Sequence, residues 1–126
     1  MIPAIVDTNI LVEIYRRRQT ALIWLAEQPR LGVGVISWFE FVGNARGKAG
    51  QAKCLEIVRE FELYALTDAD QRWAMDRLLE LQFSHGTSFK DSLIASVAYR
   101  LQIPIYTQNV KDFVPLLGTA QVIKPY

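Results

Sequence analysis

The strongest constraint in this sequence is an alternation. Short apolar runs rich in β-branched residues recur between stretches whose apolar residues follow the helical period. Residues 2–6, 31–36, 63–66, 103–107 and 120–123 read as strands. Between them, Ile10, Leu11, Ile14 and Tyr15 share one helical face, and residues 20–28 form a second helix closed by Pro29. Ser37 opens a helix to about residue 45, and residues 45–50 read as a loose connection. Residues 53–61 are amphipathic, with Leu55 and Val58 expected inward. Thr67 and Asp70 have capping-box spacing ahead of a helix reaching about residue 83, and residues 84–88 are turn chemistry. Residues 88–101 form a helix with Ser92, Ala95, Ser96 and Ala98 on one side, and residues 112–117 a short last one. Gly32 and Gly34 are candidates for close backbone approach. Strands separated by helices predict a parallel α/β sheet of four to five strands, covered on both faces. The 126 residues suit one domain, 1–126, with no repeat or interdomain linker.

Composition enters as exclusion. A net charge of +1 gives no bulk attraction to nucleic acid, so a basic footprint must be local. Cys54 is the only cysteine, which removes a disulfide framework and a multi-cysteine zinc site; it reads as a small buried hydrophobe. His85 is the only histidine, which excludes a two-histidine acid–base ribonuclease and leaves it as a loop residue. Asp7 and Glu13 interrupt the apolar N-terminal stretch, leaving no signal peptide or membrane span, so a cytoplasmic protein is expected.

Asp7 follows the first strand, Glu40 the second, and Asn109 and Asp112 the strand at 103–107. Asp91 lies in the first turn of a helix running antiparallel to the strands. The right-handed crossover rule then gathers all five positions on one rim, the carboxyl edge where parallel sheets place their sites. Singly, each acid is also a helix cap: Ser37 with Glu40, and Ser88 with Asp91, have capping-box spacing, and Asp7 can be an N-cap. Together they cost too much. Two carboxylates about 5 Å apart repel by roughly 3 kcal/mol at an effective dielectric near 20, so three pairs cost on the order of 10 kcal/mol. Helix dipoles offset only about 1 kcal/mol each. Such a cluster calls for protonation or a bound cation. Oxygen ligands without sulfur suit Mg²⁺ or Mn²⁺, and hence phosphate chemistry.

The segments "VDTNILVE" (6–13), "SWFEFVGNAR" (37–46) and "HGTSFKDSLIASVAYRLQIPIYTQNVKDF" (85–113) resemble the PIN-domain proteins of the VapC toxin type over nearly the whole chain. That resemblance implies the PIN-like three-layer α/β/α sandwich and a metal-dependent endoribonuclease using Mg²⁺ or Mn²⁺. It implies an acidic triad of Asp7, Glu40 and Asp91, with Asp112 or Asn109 at the fourth corner and Asp7 and Asp91 on the metal. Water activated by the metal would cut the phosphodiester, leaving a 5′-phosphate and a 3′-hydroxyl. A homodimer and a cognate antitoxin protein are the implied partners, beside the RNA substrate. Thr8 and Thr107 sit beside the acids and can orient them or a water. Arg46 and Lys48 can hold RNA phosphates, and Arg16, Arg17 and Arg18 can meet RNA or an acidic antitoxin segment, although such runs are also simply solvated. Trp38, Phe39 and Phe41 cannot all face one core, so one is expected to reach a partner surface. The alternative reading is an incomplete PIN-fold module that binds RNA or protein without cutting. A phosphoacceptor receiver domain fits less well, since Thr8 and Asn9 follow Asp7 where paired acids are needed.

Overall fold

The computed structural model describes residues 1–126. Five strands form one parallel sheet: β1 (Ile5–Val6), β2 (Gly32–Gly34), β3 (Glu62–Tyr64), β4 (Ile105–Tyr106) and β5 (Val122–Ile123). Their spatial order is β3-β2-β1-β4-β5. Ile5 pairs with Gly32 on one side and Ile105 on the other, and Val6 with Val33 and Tyr106. The chain thus builds outward from β1 in one direction, then crosses back to β4 and continues in the other. The crevice between β1 and β4, where the order reverses, is where open parallel sheets put their sites.

Helices cover both faces. α1 (Thr8–Tyr15), α2 (Gln19–Ala26), α3 (Val35–Gly43) and α4 (Gly47–Val58) pack over Val6, Leu31 and Val33. α5 (Asp68–His85), α6 (Phe89–Leu101) and α7 (Val110–Leu117) pack over Ile5, Ile105 and Val122. Ile5 and Val6 are both fully buried, each in a different core, because successive strand residues point to opposite faces. This is why the runs are apolar throughout rather than alternating. The small residues Ser92, Ala95, Ser96 and Ala98 are all buried, which lets α6 lie close against its neighbours.

The expected elements form, with shifted ends. α3 starts at Val35, straight off the strand, with Gly34 as its N-cap. Ser37 and Glu40 are therefore not a capping box, and the strand expected over residues 31–36 is shorter. The expected loose connection at 45–50 is instead the start of α4, which brings Cys54 and Val58 inward and leaves Leu55 exposed. The capping box of Thr67 and Asp70 is present with both reciprocal bonds. α5 runs to His85, which ends the helix rather than lying in a loop, and Gly86 terminates it at φ 66°. Gly32 is required by close approach: a Cβ there would collide with the Ile2 side chain. Gly34 is not, since its nearest neighbour, Val97, would sit at an ordinary 3.7 Å. No helix is long and apolar enough to cross a membrane.

Candidate active site

Asp7 is the first residue beyond β1 and the N-cap of α1. Its Oδ1 accepts the Thr8 backbone N–H at 2.7 Å, and its Oδ2 accepts the Thr107 hydroxyl at 2.8 Å. The side chain is buried, and burial is the main reason its pKa is pushed up to about 6. The two hydrogen bonds pull the other way, while the negative charges of Asp91 and Glu40 add to the rise. Asp7 is therefore both a cap and a carboxylate under strain from its neighbours.

Glu40 reaches the same place from the second turn of α3. Its Oε1 accepts the Thr8 hydroxyl at 2.7 Å, and its Oε2 lies 3.5 Å from the Lys90 ammonium. Its own helix places no capping demand on it. Asp91 comes from the first turn of α6, where Ser88 accepts its backbone N–H at 3.1 Å. Only this half of the expected capping box forms. Burial raises the Asp91 pKa, and the negative charge of Asp112 is the next cause; Glu40 adds to it, while Ser88 and Lys90 oppose it.

Asp70 makes an instructive contrast. Its spacing from Thr67 matches that of Asp91 from Ser88, yet its carboxylate is used up: it accepts the Thr67 N–H at 3.0 Å and faces the Arg100 guanidinium at 2.9 Å. Glu13, one helical turn and a half beyond Asp7, is likewise engaged by Arg18, Gln108 and Tyr126. The acids that remain in each other's field are Asp7, Glu40, Asp91 and Asp112.

Of the other residues singled out in the sequence, Thr8 bridges Asp7 and Glu40 through its amide and hydroxyl. Thr107, wholly buried, accepts the Asn109 backbone N–H at 2.9 Å. Asn109 is the N-cap residue of α7, and its side chain makes no cap bond. Arg46 is the N-cap residue of α4 and Lys48 lies in its first turn; both are exposed. Phe41 is buried and Trp38 half-buried, whereas Phe39 is 62% exposed. Cys54 is buried, as its apolar reading requires.

Two participants escaped the sequence reading. Lys90 sits next to Asp91 and brings the nearest cation to the cluster. Asn9 donates its side-chain amide to the Thr107 oxygen at 3.4 Å and accepts the Gln108 N–H at 3.3 Å, tying α1 to the segment after β4. The only signal for either was position beside an acid within a quoted motif.

The donor set is hard and anionic. No three or more of these side chains close into a cage of protein ligands. Carboxylate oxygens without sulfur or histidine are the donors that hard divalent ions take, and Asp7 and Asp91 are the residues that could hold one.

Comparison with known proteins agrees with this geometry. No curated protein matches the chain. Among solved structures, a toxin–antitoxin complex from Klebsiella pneumoniae contains a chain of the same fold: TM-score 0.74, 23% identity, 98% of each chain covered. The family model for the PIN domain matches residues 4–113, a span that begins in the first strand region and takes in Asp7, Glu40, Asp91 and Asp112. A parallel sheet in this order, acids at its reversal point and a family match over most of the length lead to one assignment: the chain belongs to the PIN domain family.

Proposed function

We propose that this protein is a metal-dependent endoribonuclease, acting as the toxin of a toxin–antitoxin pair. The observation that carries the reading is the convergence of Asp7, Glu40, Asp91 and Asp112, with the Asp7 pKa pushed up to about 6 by burial and, to a smaller extent, by the charges of Asp91 and Glu40. A protein keeps a group under that stress where chemistry needs it. The one nearby cation, Lys90, touches only Glu40 and is itself half-exposed.

Asp7 and Asp91 hold a divalent ion, Mg²⁺ or Mn²⁺, and Asp112 completes the site from the first turn of α7. When bound, the ion supplies activation of water and neutralisation of the phosphodiester. The chain's own groups do the rest. Thr8 and Thr107 fix the carboxylates, so that little reorganisation is needed when substrate arrives. Glu40, held by Thr8, orients the attacking water and takes up its proton. Arg46 and Lys48 bind RNA phosphates beyond the reacting one.

The antitoxin is supported by the structural likeness to a chain from a toxin–antitoxin complex. A homodimer is supported by an uncovered apolar stripe on α5, where Met75, Leu79 and Phe83 recur every four residues and are 63%, 78% and 94% exposed.

The test is cleavage of a mixed tRNA and rRNA pool with Mg²⁺ or Mn²⁺, alongside EDTA and Asp7→Asn controls. Discrete products that both controls abolish are expected. Products indifferent to both would overturn the reading, as would a folded chain that neither cuts nor binds Mn²⁺.

A further inference from the structure

Glu13 lies on α1 one turn beyond Asn9 and shares its face. That face meets residues 107–109, which cross from the end of β4 to the start of α7. α1 holds this crossing at three successive levels. Asp7 accepts the Thr107 hydroxyl at 2.8 Å. Asn9 accepts the Gln108 backbone N–H at 3.3 Å. Glu13, through Oε1, accepts the Gln108 side-chain amide at 3.3 Å. The crossing then opens α7, where the Asp112 N–H donates to the Asn109 carbonyl at 3.1 Å. A displacement of Gln108 is therefore carried into the turn from which Asp112 acts on Asp91.

Glu13 is itself held from behind. Its Oε1 also accepts the Tyr126 hydroxyl, and its Oε2 faces the Arg18 guanidinium at 3.0 Å. Three donors on two oxygens remove the rotamer freedom of a glutamate and leave Gln108 a fixed acceptor. Tyr126 is fixed in turn. Its ring packs on Trp24 at 5.4 Å between centroids, and Trp24 meets Tyr106 of β4 edge-on at 5.5 Å. Burial and then the bond to Glu13 push the Tyr126 pKa up to about 12, so its hydroxyl stays protonated and donates. Only 17% of the Glu13 side chain is exposed. A carboxylate so placed costs desolvation that an apolar side chain would not. What it supplies in return is directional hold on the crossing.

We propose that Glu13 is a positioning residue for the acidic site: through Gln108 it fixes the start of α7, and with it the place of Asp112 relative to Asp7 and Asp91. The proposal rests on the metal-nuclease reading of the rim and adds what keeps the fourth acid in register. Tyr126 and Arg18 act only by holding Glu13.

The test compares the intact chain with Glu13→Met, which keeps the length and loses the acceptor, and with Glu13→Gln, which keeps a side-chain oxygen. In EDTA, amide hydrogen exchange at Asn109 and Asp112 should quicken about fivefold in Glu13→Met. Exchange at Ile5 and Gly32, whose N–H groups are bonded within the sheet, should not change. On the RNA that the natural chain cuts, kcat should fall about tenfold with KM unchanged, and Mn²⁺ affinity should weaken. Glu13→Gln should recover most of these losses. In an Asp112→Ala chain, Glu13→Met should leave Mn²⁺ affinity where it was, because the residue it positions is gone. Gln108→Met should reproduce every effect of Glu13→Met and replaces it if that variant does not fold. Unchanged exchange at Asn109 and Asp112, or equal quickening throughout the sheet, would overturn the proposal whatever the natural chain cuts. A loss of affinity that persists in Asp112→Ala would overturn the route through Asp112. A natural chain that neither cuts nor binds Mn²⁺ would remove the nuclease reading, and the exchange in EDTA would still decide whether Glu13 holds the crossing.

Discussion

Thr107 donates its hydroxyl proton to the Asp7 carboxylate at 2.8 Å, across one hundred residues of sequence. The direction of that bond is settled by its other neighbours. The Asn109 backbone N–H and the Asn9 amide both donate to the Thr107 oxygen, so its single proton is left for Asp7. The contact exists because β1 and β4 are parallel neighbours and each ends one residue before its partner in the bond. Thr107→Val should remove the donor to Asp7 and leave the Asn109 N–H without an acceptor. We expect divalent-ion affinity or cleavage to fall about 10–100-fold and stability to drop by about 1–3 kcal/mol. Thr107→Ser should recover most of both. Mn²⁺ calorimetry and urea denaturation read the two effects separately.

The raised pKa of Asp7 has a defined consequence for pH. The folded chain holds this proton up to about pH 6, whereas an unfolded Asp releases it near 3.8. Between those values the folded state binds more protons at this site, so the contribution of Asp7 to metal-free stability is fullest below about pH 4 and is lost as pH rises to about 6. A separation of this size corresponds to about 3 kcal/mol. Urea denaturation in EDTA across that window should trace the decline, and Asp7→Asn should flatten it and leave the metal-free protein more stable at pH 7. Divalent ions need the ionised carboxylate. Their affinity should therefore rise about tenfold per pH unit below about 6 and level off above.

The Lys90 ammonium lies 3.5 Å from Glu40, where its positive charge would oppose that of a divalent ion held by the neighbouring acids. The pair is partly exposed, so its net worth is at most about 1 kcal/mol. Lys90→Met should tighten Mn²⁺ binding by about threefold to fivefold, while lowering the melting temperature of the metal-free chain. An unchanged or weaker affinity would mean that the ammonium is directed at substrate rather than at the acids.

Asp112 and Asn109 can be separated by substitution. Asp112 is the acid whose charge acts most on Asp91, whereas the Asn109 interaction at the site is made by its backbone N–H. Asp112→Ala should cost about 100-fold in metal-dependent cleavage, and Asn109→Ala less than about tenfold, since it retains that N–H. The reverse order, measured on the same RNA pool, would move the fourth corner to Asn109.

The α5 stripe makes a prediction about assembly. Leu79→Lys with Phe83→Lys puts like charges into any two-fold contact made by this face. Sedimentation should show a monomer for the double variant and a dimer for the natural chain. Secondary structure should be unchanged, because both side chains are already exposed.

The sequence by itself determined the class of fold and the rim on which the four acids gather. Ile5 and Val6 are apolar because each faces a different helical layer, and that double burial is what a parallel sheet demands. Once strands and helices alternate, handedness alone brings Asp7, Glu40, Asp91 and Asp112 to one edge. What local pattern could not decide was which acids merely cap helices. Ser37 and Glu40 have a capping-box spacing and do not form one, because the helix begins earlier, at Val35. Thr67 with Asp70 and Ser88 with Asp91 share one spacing, yet Arg100 neutralises the first acid while Asp112 crowds the second. Nor does any sequence window contain Thr107 beside Asp7, Lys90 beside Glu40, or Tyr126 beside Glu13. Helix caps are local and follow from spacing. The charge environment of a carboxylate is a sum over neighbours brought in from distant segments, and only the packed chain fixes that sum.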